Sequence, residues 1–171
     1  DSYGSRGLGD VYKRQTYRRL DEVAASGGAV IVPLDFPSAI DVSDPYLARL
    51  VSLEEMKHWE MAPYNPGVVA GAGIPMALTM HGVDKGRDFL ANLRKAVEHG
   101  LSADAALSAL TSVPADMIGA GDRVGRLAPG MEANFILADG PLFESGTALR
   151  ATVIQGVRHD IDTEPEADVA G

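Results

Sequence analysis

The chain has 171 residues, 46% of them apolar and 23% charged, a globular composition that excludes wholesale disorder. It has no cysteine, which excludes disulfide scaffolds, thiolate metal sites and cysteine nucleophiles. Lys and Arg number 15 against 24 Asp and Glu, a net charge of −9. With no basic stripe to release counterions, nucleic acid is not an expected partner, and no apolar run approaches the roughly 20 residues of a membrane span.

The first fifteen residues, DSYGSRGLGDVYKRQ, hold three glycines, no amphipathic period and no continuous apolar core. They read as a non-native or disordered leader. Ala29 to Leu34 is then a continuous apolar run with β-branched residues. Continuous apolarity predicts a strand covered on both faces, as in a parallel sheet. A loop of about fifteen residues rich in Pro, Ser and Asp follows, long enough to suggest a functional role. Ser52 and Glu55 form a capping box that opens a short helix through Met56 and Trp59. Trp59, the lone tryptophan, is expected to pack. Asn65 is read as the N-cap of the next helix, with Pro66 in its first position and Gly71 and Gly73 at its end. Ile74 to Met80 is a second short apolar strand, closed by His81 and Gly82.

Helical periodicity follows. Phe89, Leu90, Leu93, Ala96 and Val97 share one face, with Gly100 as the stop. Ser102 caps a second helix, and Pro114 opens a third that Gly119 ends. Val124–Leu127 and Ala133–Ala138 then read as a hairpin about Ala128-Pro129-Gly130, and Thr152–Gln155 with Val157–His159 as a last strand pair about Gly156. From Asp160 to Gly171 there are five acids and no base, a solvated tail.

Strand, helices, strand, helices: this order implies an α/β fold with a parallel sheet. Two parallel strands by themselves leave open edges and bury little. The chain alone is therefore expected to be oligomeric or partly molten, and the bottom-up reading is the tail of a larger α/β protein. No HxH, HExxH or HxxxH spacing is present, so no metal site assembles locally. No serine sits in a GxSxG elbow.

The text from Ala106 to Leu137 carries more: ALSALTSVPA, then Ile118-Gly119, then RVGRLAPGMEANFIL. It resembles the C-terminal signature of the amidohydrolase superfamily, and is most similar to imidazolonepropionase-like amidohydrolases. The phrase KHWEMAPYNP at 57–66 and the strand Ile31 to Phe36 resemble a bacterial branch of that family. The resemblance implies the C-terminal portion of a (β/α)8 TIM barrel, a metal-dependent hydrolase, with its last two strands and helices and part of a small composite β-sandwich. A whole barrel takes roughly 250 residues. On that reading residues 1–15 are the leader, 16–122 the end of the barrel, 123–159 the sandwich strands and 160–171 the tail.

The implied reaction is hydrolysis of a non-peptide carbon–nitrogen bond in a cyclic amide or related small molecule. The implied cofactor is a divalent metal, zinc, in the full-length parent; none is expected in the fragment alone, which would be inactive. The family's ligands are an HxH pair on the first strand, histidines on strands five and six, and an aspartate ending strand eight. At that last place the sequence reads Ala77-Leu78-Thr79-Met80-His81-Gly82, so His81 stands where the aspartate would be and is the candidate catalytic and metal-ligating residue. A neutral imidazole can ligate metal and accept a proton, though the charge of the site changes by one unit. Asp35, at the mouth of the preceding strand, is a candidate substrate contact, with a loop-start carboxylate bonding nearby amides as the other reading. His58 and Asn65 are weaker substrate-binding candidates; a structural histidine and a helix cap explain them better. The implied partners are the missing N-terminal barrel half, a small-molecule substrate and a second copy of the chain. Cytoplasm and periplasm stay open as compartments. The competing expectation, prompted by His81, is a barrel that has lost catalysis and serves as a binding or scaffold module.

Overall fold

The computed structural model describes residues 20–44, 46, 49–83 and 85–161. The leader at 1–15 and the tail beyond Ile161 lie outside the described residues. The elements are α1 (Leu20–Ser26), β1 (Val30–Pro33), α2 (Leu53–Met61), a 3-10 turn (Ala62–Tyr64), α3 (Asn65–Gly71), β2 (Met76–Thr79), α4 (Gly86–Glu98), α5 (Ala103–Leu110), α6 (Ser112–Met117), β3 (Phe135–Ala138), β4 (Leu149–Ile154) and β5 (Val157–Asp160).

β1 and β2 pair in parallel, Val30 opposite Met76 through Pro33 opposite Thr79. The ladder runs one step further at each end, through Val30 N–H to Pro75 O and Leu34 N–H to Thr79 O. Parallel neighbours need a crossover between them, and the long loop, α2 and α3 supply it. The core gathers beneath this pair. Val30, Val32 and Leu34 of one face are buried with Met76, Val69 of α3, Leu93 and Ala96 of α4, Leu101, and Ala106 and Ala109 of α5. Leu20 and Val23 of α1 pack against the same cluster; no element was expected there.

The strand expected to be covered on both faces is covered on one. Ile31 is 50% exposed and Met80, just past β2, is 50% exposed. The reason is supply: among the described residues no further strand joins this pair. Trp59 corrects the packing expectation too. It is 42% exposed, on a helix that buries none of its residues.

Local chemistry sets the helix starts. Ser52 Oγ accepts from Glu55 N–H while Glu55 reaches back to Ser52 N–H, the reciprocal cap foreseen. Ser102 Oγ caps α5 by accepting from Ala105 N–H. Asn65 is not a cap. Its backbone is already helical, because the 3-10 turn runs straight into α3 and Tyr64 holds the cap position without a side-chain bond. The helix containing Pro114 begins two residues earlier, at Ser112.

The second sheet has the order β3-β4-β5, antiparallel throughout. Gln155 and Gly156, both at positive φ (50° and 80°), make the tight β4–β5 turn that right-twisted hairpins favour. The hairpin expected between 124–127 and 133–138 does not form; β3 pairs with β4 instead. Residues 123–126 are held elsewhere. Arg126 bonds both carboxylate oxygens of Asp116 on α6 (3.0 and 2.7 Å), and Arg123 bonds Glu132. Arg94 of α4 donates to Thr147 O at 2.9 Å, and Phe143 packs on the core, so the loop before β4 is tied to the first layer.

Candidate functional site

Two turns stand side by side at the C-terminal ends of β1 and β2. The first is a sharp reversal at Asp35: Leu34 O accepts from Phe36 N–H at 3.1 Å and from Asn92 Nδ2 of α4 at 2.7 Å. The second spans Met80 to Val83, closed by Val83 N–H to Met80 O at 2.9 Å. Gly82 is its third residue at φ +87°, the left-handed value a type II turn requires there. His81 N–H is taken by Thr79 Oγ1 at 3.2 Å, and the imidazole is exposed.

The two turns interlock. A Cβ built on Gly82 would lie 2.5 Å from Asp35 Oδ2 and 2.8 Å from its carboxyl carbon. Asp35 therefore stands in the space a side chain at 82 would need, so a side chain there would have to displace the exposed carboxylate, and the left-handed φ favours glycine independently. Of the residues singled out from sequence, the structure thus brings Asp35 against the turn that carries His81. The other two stay on the crossover: His58 is half-buried on α2, and Asn65 is half-buried at the start of α3. Asn92 was missed. It is one polar position on an otherwise amphipathic helix, and its partner is 58 residues away, so no local pattern marks it.

Among the described residues no group of three or more His, Cys, Asp and Glu side chains is placed to hold a metal ion. The donors described here do not make a metal site by themselves. An exposed imidazole and a carboxylate at neighbouring strand ends can accept a proton, orient an N–H group or complete a site whose other donors come from elsewhere.

A second concavity lies between α5 and the β3–β4 pair, a cleft of ≈590 Å³ lined by Leu107, Leu110, Phe135, Ile136, Leu142 and Val153, with Asn134, Thr111 and Thr152 among its polar members. Its lining holds no titratable side chain, and its apolar walls suit an apolar group.

Charge placement elsewhere is structural. The Arg126 hydrogen bond holds the Asp116 carboxyl below its ordinary value of 3.8. The Ala148 amide first, then Arg150, does the same for Asp139. The Ser52 amide and hydroxyl lower Glu55 from 4.5. A carboxylate depressed in the folded state adds stability that is present above its unfolded value and lost as pH falls through the folded one. The thermal midpoint is therefore expected to stay flat from neutrality to about pH 5 and to fall below about pH 4. A pH series of melts checks this, and Asp116→Asn should flatten the acid limb.

Comparison with known proteins places the chain. A model of the amidohydrolase family matches residues 66–163. Among solved structures, an amidohydrolase from Thermotoga maritima superposes with a TM-score of 0.63 at 21% identity, covering 85% of this chain and 34% of its own. An adenosine deaminase from Xanthomonas campestris with bound zinc gives 0.57 at 16%, covering 90% and 38%. A Xaa-Pro dipeptidase with methionine in its active site gives 0.54 at 18%, covering 86% and 34%. At these identities the likeness is one of fold. The chain spans about a third of the length of each. No curated protein matches significantly. Among the described residues no helix is long and apolar enough to cross a membrane.

Proposed function

The chain belongs to the amidohydrolase family, and from that premise we propose that it is the C-terminal part of a metal-dependent hydrolase of carbon–nitrogen bonds. In this reading β1 and β2 are the last two strands of a (β/α)8 barrel of which residues 16–122 form the C-terminal part, and 123–159 contribute strands to a composite sandwich. The observation that carries it is the interlocked pair of strand-end turns. Catalytic groups in such barrels sit at the C-terminal ends of the strands, and Asp35 and His81 occupy two adjacent ends.

His81 is the residue here that would reach the reacting centre. Asp35 would orient it or meet an N–H group of the substrate, with His58 and Asn65 on the crossover as further substrate contacts. A divalent metal, zinc by analogy with the zinc-bound similar structure, would be held chiefly by residues outside this chain. When bound, such an ion supplies a water of lowered pKa. The substrate would be a small cyclic amide or related compound. The half-exposed Ile31 and Met80, the edges of the parallel pair that no other described strand joins and the coverage of a third of each similar chain support a missing N-terminal barrel half as the partner that covers them.

One observation favours a second reading. An imidazole where the resembled family has an aspartate fits a barrel that binds without catalysis. The test is the longer polypeptide containing residues 20–161, purified with zinc and assayed on a panel of cyclic amides and N-acyl amino acids, beside this chain alone. Turnover by the longer protein and none by the chain is the expected result. A metal-loaded longer protein that binds panel members but turns none over establishes the scaffold reading. Turnover by the isolated chain overturns the assignment of the missing half.

A further inference from the structure

We infer that Asn92 is the positioning residue of the strand-end pair: it holds the Asp35 reversal against the 80–83 turn. The inference rests on the reading of these strand ends as the mouth of a site, and it names a residue that reading does not contain.

Leu34 is wholly buried and directly follows β1. Its carbonyl has two lone pairs, and both are used. Phe36 N–H takes one at 3.1 Å, which forces the chain to reverse at Asp35. Asn92 Nδ2–H takes the other at 2.7 Å, from a helix across the layer. A tight three-residue reversal is a weak structure by itself; a second donor on the same carbonyl fixes the peptide plane that Asp35 hangs from. The carboxylate so directed lies 2.5 Å from where a Cβ of Gly82 would be. Gly82 has none, so the turn, closed by Val83 N–H on Met80 O, can lie against the exposed carboxylate. The chain of contacts runs from α4 to Leu34, to Asp35, to Gly82, and so to the residue beside it, His81. Asparagine suits the task. Its amide is a neutral donor that can sit half-buried against a buried carbonyl without the desolvation cost of a charge.

Hydrogen exchange by mass spectrometry tests this on the chain as it exists. Asn92→Ala should speed exchange about fivefold, the protection of one hydrogen bond, in peptides covering 35–36 and also 81–83, while peptides of α5 and of β4 keep their rates. Asn92→Asp, the same size without the donor, should do the same. In an Asp35→Ala background Asn92→Ala should no longer alter 81–83, because the path runs through the carboxylate. A general loosening of packing would instead speed exchange in α4 and α5 alike, and that result, or an unmoved 81–83 segment, overturns the inference. In the longer polypeptide, Asn92→Ala should lower kcat more than it raises KM, and add nothing to Asp35→Ala. If that protein proves inactive, the hydrolase reading fails while the exchange result still decides the role of Asn92.

Discussion

Gly125→Ala should lower the stability of the fold by about 3 kcal/mol, a drop of roughly 10 °C in thermal midpoint for a chain of this size. Two effects add. Gly125 has φ +88°, a conformation that strains any residue with a Cβ. That Cβ would also lie 2.7 Å from Ala115 Cβ and 2.7 Å from Thr111 O, inside the contact between α6 and the segment that leads to β3. Ala115 is buried and cannot move aside cheaply. Gly130 provides the control. Its φ is also +88°, but a Cβ there meets nothing within 4 Å. Gly130→Ala should therefore show the strain alone, about 1 kcal/mol. The difference between the two melts isolates the close approach. Equal losses would mean that 125 is not packed on α6.

The same residue explains why part of the fold was legible in the sequence and part was not. Features settled within a few residues were readable. Ser52 and Glu55 cap each other across three positions, Gly100 stops α4 at φ +105°, and the β-branched run at 30–32 forms a parallel strand. The expected 124–127 strand failed because its alternation was read without its long-range partners. Gly125 on Thr111 and Ala115, and Arg126 on Asp116, dock that segment on a helix, which leaves β3 to pair with β4. Asn65 failed as a cap for a local reason that composition hides: Ala62–Tyr64 had already started the helical backbone.

The site divides along the same line. His81 and Asp35 were visible as strand-end residues, since each closes an apolar run. That Asp35 lies against Gly82, the neighbour of His81, was not, because the approach spans 47 positions and depends on a side chain that is absent. Asn92 was invisible for the same reason. What sequence supplies well is the list of chemically able groups; what it withholds is which turns the fold sets side by side.

That geometry fixes the expected behaviour of His81. In the longer protein, His81→Ala should lower kcat by about 100-fold or more, the range for removing a positioned proton-transfer group. Folding should be spared, because the imidazole is exposed and the turn is held by Gly82, Thr79 and the Val83 amide. His81→Asn separates two roles. It keeps the size and a hydrogen-bonding end but cannot accept a proton near neutrality, so retained activity would assign His81 to binding and lost activity to proton transfer. His81→Asp is expected to be poorer than the wild type. It sets a second carboxylate next to the turn that Asp35 already faces, and like charges at close range oppose each other's ionisation. If His81→Ala left kcat and substrate affinity both unchanged, the pair of turns would be architecture alone, and the centre of the site would lie on the other strands.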